Sequence, residues 1–387
     1  MDHNDILFHL GEARDQYQEA ISPPIAQSSN FAFRSVDTFR QAVAHKMDYH
    51  IYTRGNNPTV QILRKKMAAL CGTEDALAFA SGSGAVAAAV LSVVRSGDHI
   101  ISVQKPYAFT KVLIDQFLGR FGVTCTYVDM RDPAQIEAAM QPNTRLLFLE
   151  SPNSLTFELQ DLTACVQIAR DHGILTAIDN SCATPFYQRA ADFGIDLVVH
   201  SATKYLSGHS DAMGGIVCGS RSLLQPIFDQ EFMALGGIMS PRDAALVIRG
   251  LRTLHMRISR SNTSAQWLTQ KLSAHPRVRQ VLYPLHPDFP QYDLARRQMT
   301  GAGGLFSILL DTQKIEAVDR FAESLHRFAM AVSWGGHESL VLPISGFHQV
   351  PGQADSPLPF QLVRLYIGLE DPEWLWADLE KGLDQLT

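Results

Sequence analysis

From about residue 60 onward, short and mostly apolar runs alternate with stretches whose apolar residues recur every three or four positions. The runs 76–80, 99–103, 124–128, 146–150, 175–178, 197–200 and 215–218 read as strands. The stretches 59–71, 85–94, 111–118, 134–140 and 162–171 read as helices. In the first of these, Val60, Leu63, Met67 and Leu70 fall on one face. Strands that are apolar throughout, interleaved with helices, predict a mostly parallel seven-stranded sheet covered on both faces, an α/β fold. The last strands follow one another closely, which predicts an antiparallel edge.

The two ends of the chain read differently. Residues 1–50 lack a sustained period, and 21–33, with its paired prolines and serines, predicts an extended N-terminal arm. Beyond Pro241 a long helical pattern runs over 241–274, with proline at its first turn. Strands follow at 303–310, 339–344 and 362–368, and helices at 315–324 and 374–386. The expected organisation is therefore an arm (1–50), a large α/β domain (51–240) and a smaller α+β C-terminal domain (241–387).

Composition narrows the possible functions. With 46% hydrophobic and 19% charged residues, the chain can fill a large core, which excludes wholesale disorder. A net charge of −6 gives no general attraction to nucleic acid or anionic membranes. The stretch 249–260 holds Arg249, Arg252, Arg257 and Arg260 and no acid, but in an acidic chain this reads as a charged or interface helix. Residues 76–94 carry no charge, near the ~20 residues a membrane span needs. Ser81-Gly82-Ser83-Gly84 interrupts that stretch, so it reads as strand, turn and helix. The cysteines (Cys71, Cys125, Cys165, Cys182 and Cys218) form no CxxC pair, which points to a reducing compartment. The opening residues show no basic region followed by an apolar block, so a cytoplasmic location is expected.

Candidate chemistry gathers where the strands end. In open α/β sheets, ligands bind beyond the carboxyl ends of the strands. There the sequence places Ser81–Gly84 opening a helix, Tyr107, Ser151 to Ser154, Asp179 with Asn180, and Ser201, Thr203 and Lys204. Taken singly, each has an ordinary explanation as turn, cap or surface residue. Jointly they supply a phosphate cradle at a helix N-terminus, an aromatic face, an acid and an amine. That is what pyridoxal 5'-phosphate (PLP) requires: a lysine that condenses with the aldehyde, an acid facing the pyridine nitrogen and an aromatic stacking surface. His200, His209 and Asp211 fit no zinc spacing, and no metal site is expected.

The segment 201–215, SATKYLSGHSDAMGG, resembles the lysine signature of the Cys/Met-metabolism PLP enzymes, a branch of fold type I. The likeness continues through YTRGNNPT (52–59), SGSGA (81–85), GDHIIS (97–102), ESPNS (150–154), AIDNS (177–181), RGLRTL (249–254), SWGGHESL (333–340) and RLYIGLED (364–371). The resemblance implies that Lys204 carries the cofactor and shuttles protons. It implies that Asp179 pairs with the ring nitrogen and that Tyr107 stacks on the ring. Gly82, Ser83, Ser201 and Thr203 hold the phosphate, and Tyr52 and Arg54 reach the phosphate of a neighbouring subunit. Arg364 grips the substrate carboxylate with Ser333 and Trp334, and Ser154 lies beside the ring. The family implies a homotetramer built from two catalytic dimers, acting on a small amino acid.

This chain departs from the family pattern in several places. Asn56 stands where the family usually has glycine before NPT, Ser154 where many members have asparagine, and Trp334 where many γ-specific members have leucine. Phe109 replaces the cysteine of methionine γ-lyases. The SWGG and GHSDAM wording, with Ser154, most resembles bacterial cystathionine β-lyases. It implies a carbon–sulfur lyase that releases a thiol, pyruvate and ammonia. The alternatives are γ-elimination or γ-replacement on methionine, cystathionine or an O-activated homoserine and, in a different class, a PLP-binding regulator with little turnover.

Overall fold

Seven apolar runs lie side by side because most have side chains to bury on both faces. In the computed structural model, which describes residues 2–352 and 354–386, they are β1 (Asp75–Phe79), β2 (His99–Val103), β3 (Thr124–Val128), β4 (Thr144–Glu150), β5 (Leu175–Asp179), β6 (Leu197–Ser201) and β7 (Gly215–Gly219). Their order across the sheet is β1-β7-β6-β5-β4-β2-β3. Neighbours from β6 to β3 are parallel, and β7 runs antiparallel to both β6 and β1. The expected antiparallel edge is therefore corrected: the reversed strand is an inner one. The cause is local. After β6 the chain folds straight back, with Ala202 N–H donating to Gly214 O at 2.8 Å and Ser201 in register with Gly215. β1, being antiparallel to β7, points the same way as β6, so its carboxyl end joins those of β2, β4, β5 and β6.

The α-helices up to residue 171 are α1 (His3–Phe8), α2 (Val36–Ala44), α3 (Pro58–Cys71), α4 (Gly82–Val93), α5 (Ala108–Val112), α6 (Pro133–Ala138) and α7 (Leu162–Asp171). The uncharged stretch 76–94 is β1, a turn and α4, as its glycines predict. α4 buries Ala85, Val86, Ala89 and Val90 in one core with Phe79, Ile100, Phe148 and Val217. No helix among the described residues is long and apolar enough to cross a membrane. The helix expected at 111–118 begins as α5 and continues as a π-turn and a 3-10 turn, ending at Gly122 with φ 78°.

Within 1–50 the chain is less uniform than an arm. Ile6 and Leu7 of α1 are buried, and the buried ammonium of Lys66 in α3 donates to their carbonyls at 2.9 and 3.0 Å and pairs with Glu12 at 3.1 Å. Residues 21–33 contain no helix or strand beyond a bridge from Asn30 to Tyr52. α3 starts at Asn57, whose side chain accepts from Thr59 N–H at 2.9 Å, with Pro58 in the first turn. Asn56 has no left-handed φ to demand glycine. It is buried, donates to Met47 O and accepts from Asn57 N–H, which accounts for asparagine there.

Two compact units form. The first runs through Ser151 and includes Gln160–Ser207 and Asp211–Thr253. The second comprises Pro152–Leu159, Gly208–Ser210 and the chain from Leu254. The helix expected over 241–274 is two helices, Pro241–Arg252 and Leu254–Ser273. They part at Thr253, whose N–H turns back to Gly250 O at 3.1 Å. The second unit holds a sheet of β8 (Val278–Leu282), β9 (Leu305–Leu310), β10 (Ala329–Met330), β11 (Leu340–Pro343) and β12 (Leu362–Tyr366), in the order β10-β11-β12-β9-β8.

Candidate active site

At the carboxyl end of β1, Ser81 Oγ accepts from Gly84 N–H at 3.0 Å and starts α4. The amides of Gly82 and Ser83 that follow have no preceding helical turn to donate into. α4 is 12 residues long, so its dipole adds positive charge there. A Cβ on Gly82 would lie 2.9 Å from both Cβ and Oγ of Ser201, so the Ser201 hydroxyl stands against the same helix start. A Cβ on Gly215 would meet Ser81 O at 2.2 Å, so glycine at that position lets β7 pass close to the turn. Exposed amides, a hydroxyl and a glycine without room for a methyl suit a phosphate group.

Asp179 closes β5, partly buried, and accepts from Ser181 N–H at 3.0 Å. Ser181 Oγ in turn accepts from Ser201 N–H at 2.7 Å. Asp179 and Ser201, which stands against the start of α4, are thus linked through Ser181. Lys204 lies in the turn after β6, its N–H donating to Ser201 O at 3.2 Å. Ser207 Oγ braces the carbonyls of Thr203 and Lys204 at 3.1 and 3.3 Å. The Thr203 hydroxyl donates to Gly214 O at 3.3 Å and accepts from Gly214 N–H at 3.1 Å. These two bonds brace the 203–214 loop.

Tyr107 precedes α5, is 43% exposed, and places its ring 5.7 Å from the Phe109 ring. Its backbone N–H donates at 2.6 Å to Glu150 Oε2, at the carboxyl end of β4. Tyr52 and Arg54 lie on the loop before α3. Both are exposed, with the guanidinium 5.7 Å from the Tyr52 ring centre.

The remaining candidates lie in the second unit. Arg364 on β12 is buried and donates to Ser154 O at 3.3 Å and Ser333 O at 3.1 Å. Both serines therefore hold the guanidinium through their carbonyls. Ser333 does so from a left-handed backbone, φ 74°, and Trp334 beside it is buried. Burial pushes the Arg257 guanidinium down to about 10. The arginines of 249–260 point to separate duties: Arg252 pairs with Glu12, Arg257 is buried and Arg260 donates to Glu370 O. No cluster of metal-binding side chains exists among the described residues. His200 is buried, with Nε2 3.3 Å from Cys71 Sγ.

A mostly parallel sheet that carries a helix start, an acid, an aromatic residue and a lysine where its strands end matches what a PLP-dependent enzyme of fold type I requires. The chain belongs to the Cys/Met metabolism PLP-dependent enzyme family, whose profile matches residues 4–384. It is 41% identical over 385 residues to the L-methionine gamma-lyase of Pseudomonas deceptionensis, covering 98% of this chain and 96% of that protein. It is 36% identical over 388 residues to cystathionine gamma-synthase 1, chloroplastic, of Arabidopsis thaliana, covering 98% of this chain and 69% of that one. The crystal structure of metB from Corynebacterium glutamicum superposes with a TM-score of 0.93 at 32% identity, covering 100% and 99% of the two chains. The likeness to the Pseudomonas gamma-lyase and the Arabidopsis gamma-synthase favours the γ-chemistry alternatives over the β-elimination suggested by the SWGG wording.

Proposed function

We propose that this enzyme is a carbon–sulfur lyase that eliminates the γ-substituent of a sulfur amino acid, with L-methionine as the substrate to test first. The observation that carries this reading is the 41% identity to an L-methionine gamma-lyase over nearly the full length of both chains. Bound PLP supplies an electron sink for charge that develops on the substrate. Arg364 holds the substrate carboxylate, with its guanidinium already oriented by the carbonyls of Ser154 and Ser333. Lys204 tethers the cofactor and, once displaced, carries the α-proton on Nζ. Asp179 keeps the ring nitrogen protonated, and the ring of Tyr107 packs on the cofactor face. The Gly82 and Ser83 amides and the Ser201 hydroxyl neutralise the phosphate. Tyr52 and Arg54, both exposed, serve the phosphate of a second copy of the chain, so the working unit is at least a dimer.

γ-Elimination from methionine consumes water and yields methanethiol, 2-oxobutanoate and ammonia. Incubation of the holoenzyme with methionine is expected to give 2-oxobutanoate and methanethiol in equal amounts. Pyruvate from cystathionine, without 2-oxobutanoate from any substrate, would restore the β-elimination reading. A second reading, γ-replacement, is favoured by the likeness to the Arabidopsis cystathionine gamma-synthase. Cystathionine formed from an O-activated homoserine and cysteine faster than any oxo acid would select it.

A further inference from the structure

We propose that Glu150 is a positioning residue that fixes the Tyr107 ring through its backbone; the inference rests on the PLP site described above. Glu150 ends β4 and is 4% exposed, so water cannot satisfy its carboxylate. A buried carboxylate is costly unless it receives hydrogen bonds. Glu150 Oε2 accepts one from Tyr107 N–H at 2.6 Å, the short distance of a charge-assisted bond. The acceptor is itself fixed. Glu150 N–H donates to Gln160 Oε1 at 3.1 Å, and Gln160 N–H donates to Ser151 Oγ at 3.1 Å. Ser151 O receives Gln188 Nε2 at 2.8 Å, and the same amide donates to Asn180 Oδ1 at 2.9 Å. Asn180 follows Asp179, which is the register partner of Glu150 across β4 and β5.

The recipient needs such an anchor. Tyr107 begins a helix of only five residues, with no side-chain cap of its own. The residue is exposed, and a tie through its backbone adds to the contact its ring makes with Phe109. A backbone tie to the rigid end of β4 sets where the ring stands without occupying the face that a cofactor would cover. The same tie fixes the distance from that ring to the acid on the next strand. Glu150 thus converts the stiffness of the sheet into placement of a loop side chain.

The test compares Glu150→Gln, which keeps an acceptor oxygen but loses the charge, with Glu150→Ala, which loses both. Hydrogen exchange on the protein without cofactor is expected to show the Tyr107 amide exchanging about tenfold faster in Glu150→Ala and by a smaller factor in Glu150→Gln, with the amides of β4 and β5 unchanged. If the alanine variant does not fold, the glutamine variant carries the test alone through the same selective acceleration. Affinity for PLP is then measured in a Tyr107→Ala background. Glu150→Ala is expected to weaken PLP binding about tenfold in the parent chain and less than about twofold once the ring is gone. An unchanged Tyr107 amide, uniform loosening of the sheet, or equal losses in both backgrounds would overturn the proposal. Failure of the parent chain to bind PLP would instead overturn the cofactor reading, while leaving the exchange result to stand.

Discussion

A methyl group on Gly82 would stand 2.9 Å from Ser201 Oγ, on the side where the proposed phosphate site needs room. Gly82→Ala is therefore expected to fold, since the glycine has no left-handed φ, but to bind PLP at least about tenfold more weakly. Equilibrium titration of the cofactor-free protein checks this, and unchanged affinity would remove Gly82 from the cradle. At this scale the sequence is informative where chemistry follows from position. Lys204, Asp179 and Tyr107 each come directly after, at the end of, or just beyond an apolar run, so strand ends alone single them out. Glu150 and Ser181 are not legible in the same way. Their duties are hydrogen bonds to the backbone of Tyr107 and Ser201, residues far away in the chain, and nothing in ESPNS or AIDNS indicates the partner. The bonds of the Thr203 hydroxyl to Gly214 are equally hidden in the sequence, because they depend on how β7 folds back.

Among the elements, the parallel strands are legible because continuous apolar runs have few other homes. The inner position of β7 is not, since register and order depend on how the 203–214 loop closes. β8 and β10 escape the pattern. β8 buries only Val278 and Val281 fully along its length, and β10 has two residues, both exposed. The helix break at Thr253 is missed because the apolar period of Val247, Leu251, Leu254 and Ile258 runs through it with no proline to mark the break. His99 shows how one strand residue ties neighbours together. It lies on β2, and its ring nitrogens bond Thr144 on β4 at 2.8 Å and Thr126 on β3 at 2.9 Å. Burial holds its pKa below the ordinary 6.5. The folded state therefore binds the proton less readily than the unfolded chain. The stability it contributes is present above pH 6.5 and is lost as pH falls through the depressed folded value. Thermal midpoints are expected to drop from pH 7.5 to 5.5, less steeply in His99→Gln. His50 and His286, also lowered by burial, supply the residual slope. An identical slope in the variant would exclude His99 as a contributor.

For the whole molecule, the proposal that a second copy completes the site assigns the exposed pair Tyr52 and Arg54 to the neighbouring chain. Lys204→Ala and Arg54→Ala subunits are each expected to be inactive alone. Mixed and refolded together, they regain up to about a quarter of parental activity per site, because some hybrid sites draw an intact lysine and an intact arginine from different chains. No recovery in hybrids verified by mass would mean that each chain supplies its own groups. The family and fold are legible in the order and spacing of motifs over nearly the whole chain. Reaction choice is not, because β- and γ-chemistry use the same lysine, acid and arginine, and single replacements such as Phe109 and Trp334 point in different directions. The account as a whole depends on one attachment, that of the cofactor to the Lys204 amine. Borohydride reduction of the holoenzyme followed by peptide mass analysis reads it directly. The expected result is a phosphopyridoxyl mass on the peptide containing Lys204 and on no other, while a label on a different lysine, or none at all, would contradict it.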